Sequence, residues 1–168
     1  MLQQLRQIRN SVSTATFHAL VIAGVMSRLD YGNSVLISLS IHPTRRLQSE
    51  QNAAARLMCK LRCIDHTTGA LVSLHWLCIP ERIVCKIAVL TLKVLHGTAS
   101  KYLGPVVRVA DLPGRQTLCS ASTNRLVVPP FKLSTISSRA FPMAGSQLWK
   151  SLPEDITSAP SLLTFRKR

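Results

Sequence analysis

Apolar residues recur at helical spacing through the first hundred positions. Leu2, Leu5 and Ile8 fall three apart, and Asn10 to Ser13 then interrupt the pattern. Ser13 is a suitable N-cap, because its hydroxyl can accept a backbone N–H of the following turn. Residues 14–29 are apolar on nearly every face, which predicts a buried helix. Pro43 fits the first turn of a third helix, where its missing N–H would have no partner. On the wheel of that helix, Arg45, Ser49, Asn52, Arg56 and Lys60 share one face. Leu47, Ala54, Leu57, Met58 and Leu61 share the opposite one. Glu50 falls on the apolar side, where a carboxylate pays desolvation unless it is paired, so it is expected to destabilise the helix packing. Arg46, one turn earlier, is the partner within reach. Asp65 or Thr67 is placed to cap a short helix running to Leu74. Pro80 then opens the clearest helix, 81–96, and Gly97 closes it. Its wheel is apolar, Leu90 included, except for a stripe of Arg82, Lys86 and Lys93. This predicts a central core helix with one basic edge.

The style changes after residue 104. Gly104-Pro105, Pro113-Gly114, Pro129-Pro130, Pro142 and Pro153 punctuate short β-prone pieces such as 126–128 and 135–141. A short helix is expected over 144–151 and another from Ser161. The pattern as a whole predicts a mainly α (α+β) chain. Residues 1–100 form its helical segment, and 101–168 form an irregular extension with short strands.

Charge narrows the partners. The 168 residues carry 21 Lys+Arg against 7 Asp+Glu, a net charge of +14. Residues 1–99 hold eleven bases and four acids, and residues 100–168 hold ten and three, so the excess is not a tail. Such a body suits a polyanion: RNA, DNA or an anionic surface. Arg outnumbers Lys 14 to 7, and the planar guanidinium is the better phosphate fork. Residues 1–29 contain no acid, as in a mitochondrial presequence, and Phe17 to Met26 has the look of a signal-peptide core, but that run is too short to span a bilayer. Five cysteines, an odd number without framework spacing, point to a reduced intracellular compartment, cytoplasmic or nuclear, rather than to secretion.

Catalytic groups are sparse. Cys59, Cys63, His66, His75 and Cys78 offer soft ligands within 20 positions, but without a Cys-x2-Cys knuckle they read as semi-buried thiols and polar histidines, and no metal or other cofactor is expected. His75 has no acid close in sequence to orient it as a base. Trp76 and Trp149, among apolar neighbours, read as core anchors. The phosphate-following candidates are the two basic faces: Arg45, Arg56 and Lys60 on one helix, and Arg82, Lys86 and Lys93 on the other.

The order of short signatures carries a resemblance. Ser27-Arg28-Leu29-Asp30-Tyr31 precedes Arg46-Leu47-Gln48-Ser49 and Gln51-Asn52-Ala53-Ala54-Ala55-Arg56-Leu57. Leu74-His75-Trp76-Leu77, Arg82-Ile83 and Lys93-Val94-Leu95-His96-Gly97 follow. Val127-Val128-Pro129, Ser138-Arg139-Ala140-Phe141, Ala144-Gly145 and Leu148-Trp149-Lys150-Ser151-Leu152-Pro153 close the series. Together they resemble the C-terminal region of the reverse transcriptase of LINE-type (non-LTR) retrotransposons. The resemblance implies a thumb, which tracks a template–primer duplex, followed by a C-terminal extension. The chain departs from that pattern at Gly32, Glu50, Cys78, Cys85, Leu92, Ser100 and Ser146, and ends at Phe165-Arg166-Lys167-Arg168, short of the family's usual last helix. Polymerase chemistry needs carboxylates that hold two metal ions. The family's Asp-Asp pair has no counterpart here, and Glu154-Asp155 reads as a capped turn. The chain is therefore expected to be non-catalytic, with weak, sequence-nonspecific binding of RNA or DNA. The alternative is a translated retroelement relic with no selected function.

Overall fold

Helix α1 (Leu2–Ile8) ends where the polar residues interrupt, and Ser13 starts α2 (Thr14–Val21) by accepting the Thr16 N–H at 3.2 Å. The computed structural model describes residues 2–31, 41–114, 124–130, 140–159 and 161–167. After α2 the chain passes through a π-helical turn, Ile22–Met26, into α3 (Ser27–Asp30). Then come α4 (Ile41–Cys59), α5 (Thr68–Ser73) and α6 (Ile79–Leu95). Beyond them lie α7 (Phe141–Ser151), α8 (Glu154–Thr157) and α9 (Leu162–Lys167). The chain is mainly α. The expected short strands reduce, among the described residues, to one antiparallel bridge between Arg108 and Leu126. The β-prone piece over 135–141 lies outside the described residues, except that its end is helical: Phe141 opens α7. Two compact units divide not at the change of style near residue 104 but inside α6, after Arg82.

In the first unit, α4 packs with α1, α2, the π turn and α5. The segment 14–29, apolar on nearly every face, is not buried all round. Phe17, Val21, Val25 and Leu29 form a buried stripe four residues apart, joined by Met26, while Leu20 and Ile22 remain 40% and 48% exposed. Two other expectations need correction here. Glu50 is exposed, not buried in the helix packing. The apolar side of α4 at that level faces an open groove of about 450 Å³ lined by Leu2, Val25, Leu29 and Leu47, with Glu50 and Arg28 among its lining. The carboxylate therefore keeps its water. The buried polar residue of α4 is instead Gln51, fully enclosed. Its amide donates to the Leu77 carbonyl at 2.9 Å and accepts from Gln48 at 3.1 Å, while Gln48 accepts the Ile79 N–H at 2.8 Å. Two side chains of α4 thus satisfy backbone groups at the loop leading into α6 and at its first residue.

Three helices of the chain stop in one way. Leu61 N–H reaches the Arg56 carbonyl, Trp76 N–H that of Leu71, and Thr98 N–H that of Lys93, at 3.0, 2.8 and 2.9 Å. This six-to-one bond needs a left-handed residue between, and Lys60, His75 and Gly97 take it with φ of 58°, 55° and 67°. Only the last was legible as a glycine stop. Leu61 and Trp76, the residues just after the stop, pack with Cys59, Leu74 and Cys78 around Ala55, Ala70 and Leu71.

In the second unit, α6 buries Ile83, Ile87, Ala88, Thr91 and Leu92, while Leu90, expected in the core, is only half-buried. Gly145 of α7 lies so close to Thr91 that a Cβ there would meet its Oγ1 at 2.7 Å, and that hydroxyl is held by the Ile87 carbonyl at 2.8 Å. Trp149 stacks on Phe165 with centroids 6.1 Å apart, beside Leu92, Leu126 and Ala159, and its indole N–H donates to the Asn124 carbonyl at 2.9 Å.

Candidate nucleic-acid interface

The six basic residues singled out by the sequence do not act alike. Arg45 is exposed on α4, and its side chain makes no hydrogen bond or ion pair among the described residues. Lys60 is exposed too, but α4 ends at Cys59 and Lys60 turns left-handed, so the face drawn through Arg45, Arg56 and Lys60 loses its last member. Arg82 is committed: its Nε and Nη2 donate to the two carboxylate oxygens of Asp30 at 2.6 and 2.8 Å, with both side chains mostly covered. This two-bonded fork ties α3 to the first turn of α6 and occupies two of the donors of Arg82. Lys86 is half-buried and not free. Lys93 is half-buried, and its carbonyl accepts the Thr98 N–H that ends α6.

Arg56 belongs to a different group from the one expected. It lines a cleft of about 460 Å³ together with Arg6 and Arg9. Arg6 is in the last turn of α1 and Arg9 just beyond it, and α1 packs against α4. Helical spacing explains the convergence. Leu5 points inward and is buried, which leaves Arg6 and Arg9, three apart, on a neighbouring side. The rest of the lining includes apolar side chains, Ala53, Leu57 and Leu61, the first two on α4 beside Arg56 itself. Cys63, exposed, stands at the same cleft. None of the lining residues is acidic. Arg6 and Arg9 have no side-chain partner among the described residues. The Arg56 guanidinium reaches the Asp65 carbonyl only at 3.5 Å, the outer limit of a hydrogen bond, and its buried Nε–H has no acceptor. The nearby Asp65 carboxylate is turned to the backbone instead, accepting the Arg62 N–H at 2.7 Å.

Family models, curated proteins and solved structures offer no match to this chain. The site is therefore read from its chemistry.

Three guanidiniums with spare donors and no carboxylate among the lining residues have the chemistry that suits an anion. The sequence carried a signal for it in the Arg6-x-x-Arg9 pair at the end of α1, but the lack of acids there resembled a targeting segment instead. Candidate metal ligands do not gather: among the described residues, no three His, Cys, Asp or Glu side chains come close enough to share an ion, so Cys59, Cys63, His66, His75 and Cys78 form no centre. No helix among the described residues is long and apolar enough to cross a membrane.

Proposed function

We propose that this chain is a non-catalytic counterpart of the thumb and C-terminal extension of LINE-type reverse transcriptases, and that its first unit binds RNA or DNA through phosphates without reading base sequence. The observation that carries the reading is the convergence of Arg6, Arg9 and Arg56 on one acid-free cleft. Guanidiniums clamp phosphate oxygens in pairs, and an N–H left without an acceptor favours a ligand that brings one. Exposed Arg45, on the same helix as Arg56, extends the positive surface along α4. The net charge of +14 adds long-range attraction, and an intracellular setting, cytoplasmic or nuclear, supplies the partner.

Filter binding of two unrelated RNAs across a salt series tests it. Each neutralised phosphate releases counterions, so affinity should fall with a log–log slope of about −0.7 to −0.9 per contact. Replacing Arg6, Arg9 and Arg56 together by Gln should flatten the slope by roughly two to three units, equally for both RNAs. An unchanged slope would clear the cleft of any role. No salt-sensitive binding by the unmodified chain would leave only a retroelement relic.

A further inference from the structure

The cleft has more than charge. Its lining includes the apolar Ala53, Leu57 and Leu61, and its volume of about 460 Å³ is in the range of about 300–1,000 Å³ that encloses small ligands. A duplex offers a protein's arginines its phosphates and sugars along the backbone, and its bases stay stacked inside. The apolar side chains that line the cleft with the three guanidiniums would go unused by such a ligand. A single strand can splay one nucleotide out, giving its phosphate to the arginines and its base to aliphatic side chains and guanidinium planes. We propose that the Arg6–Arg9–Arg56 cleft holds one unstacked nucleotide of single-stranded RNA or DNA. The proposal rests on the phosphate-binding reading above and adds to it the class of nucleic acid. Arg56 supplies a guanidinium whose Nε–H is buried and unpartnered. Arg6 and Arg9 bracket the phosphate from the end of α1, and the half-buried Ala53 and Leu61 meet the base.

Cys63 makes the site observable. It is exposed at this cleft, whereas Cys85, also exposed, belongs to α6 in the second unit and serves as an internal reference. The full chain is treated with N-ethylmaleimide, alone, with an oligo(dA) of about 12 nucleotides, and with the same strand annealed to its complement. Mass spectrometry follows both cysteines. At a strand concentration that fills about nine-tenths of the sites, Cys63 labelling should slow roughly tenfold while Cys85 is unchanged, and the duplex should protect little. Ala53→Phe fills the cleft without altering charge, and should abolish both the protection and the preference for single strands while keeping the salt slope. Should that variant misfold by circular dichroism, Arg9→Gln, a change at the rim, should weaken protection by several-fold. Equal protection by duplex and single strand would overturn the proposal and leave phosphate binding intact, as would free-rate labelling of Cys63 with the strand bound. Absence of binding by either form would overturn both readings.

Discussion

Gln51 and Lys60 show how single positions set the stability of the first unit. Gln51 is wholly buried, and its amide is the partner of the Leu77 carbonyl. Truncating it strands that acceptor and loosens Gln48, which holds the Ile79 N–H. Gln51→Ala should therefore cost about 1–3 kcal/mol or more once the cavity is counted, read as a lower urea midpoint. Lys60 offers the opposite case. A side chain in the left-handed region carries a penalty of about 1–2 kcal/mol that glycine avoids, partly offset by the larger entropy glycine has when unfolded. Lys60→Gly should raise stability by roughly 0.5–1 kcal/mol in the same titration. Glu50 shows why wheel geometry misled. Its angular position on α4 is on the apolar side, as expected, but an angle does not say whether a wall stands opposite, and here there is a groove. A helical wheel knows directions and not distances.

At the scale of elements, most helices were legible and their ends less so. The Ser13 cap, the Pro43 first turn, the Gly97 stop and the apolar run of α6 all depend on local chemistry, which the sequence states directly. The Lys60 and His75 stops were not legible, because tertiary packing of Leu61 and Trp76 holds those backbones where propensity would not. The basic stripe of α6 was legible as a pattern, yet Arg82 is neutralised by Asp30, 52 positions earlier, a pairing that periodicity cannot reveal. That pair makes its own test. Two parallel charge-assisted bonds between mostly covered groups contribute more than an exposed ion pair, about 1–2 kcal/mol. Asp30→Asn should lower Tm by about 2–8 °C. Arg82→Gln should leave the salt slope of RNA binding where it was, because this guanidinium is already paired with Asp30.

For the whole molecule the question is whether binding follows total charge or place. Twenty-one bases against seven acids would attract any polyanion, and a diffuse attraction needs no site. The cleft reading differs from it in one measurable respect. Arg6, Arg9 and Arg56 belong to the first unit; Lys101, Arg125 and Lys150, all exposed, belong to the second. Converting either set to Gln lowers the net charge of +14 by three. Diffuse attraction predicts that both triple variants flatten the salt dependence alike, because each removes the same charge from the same chain. A localised site predicts that the cleft set flattens it by roughly two to three units and the second set by less than one, since only bases that displace condensed counterions enter the slope. Filter binding of one RNA by the two variants, side by side over a range of salt, separates the cases. Equal slopes would mean that the guanidinium cleft does not organise the binding. Unequal slopes in the stated order would place the phosphate contacts at the end of α1 and on α4.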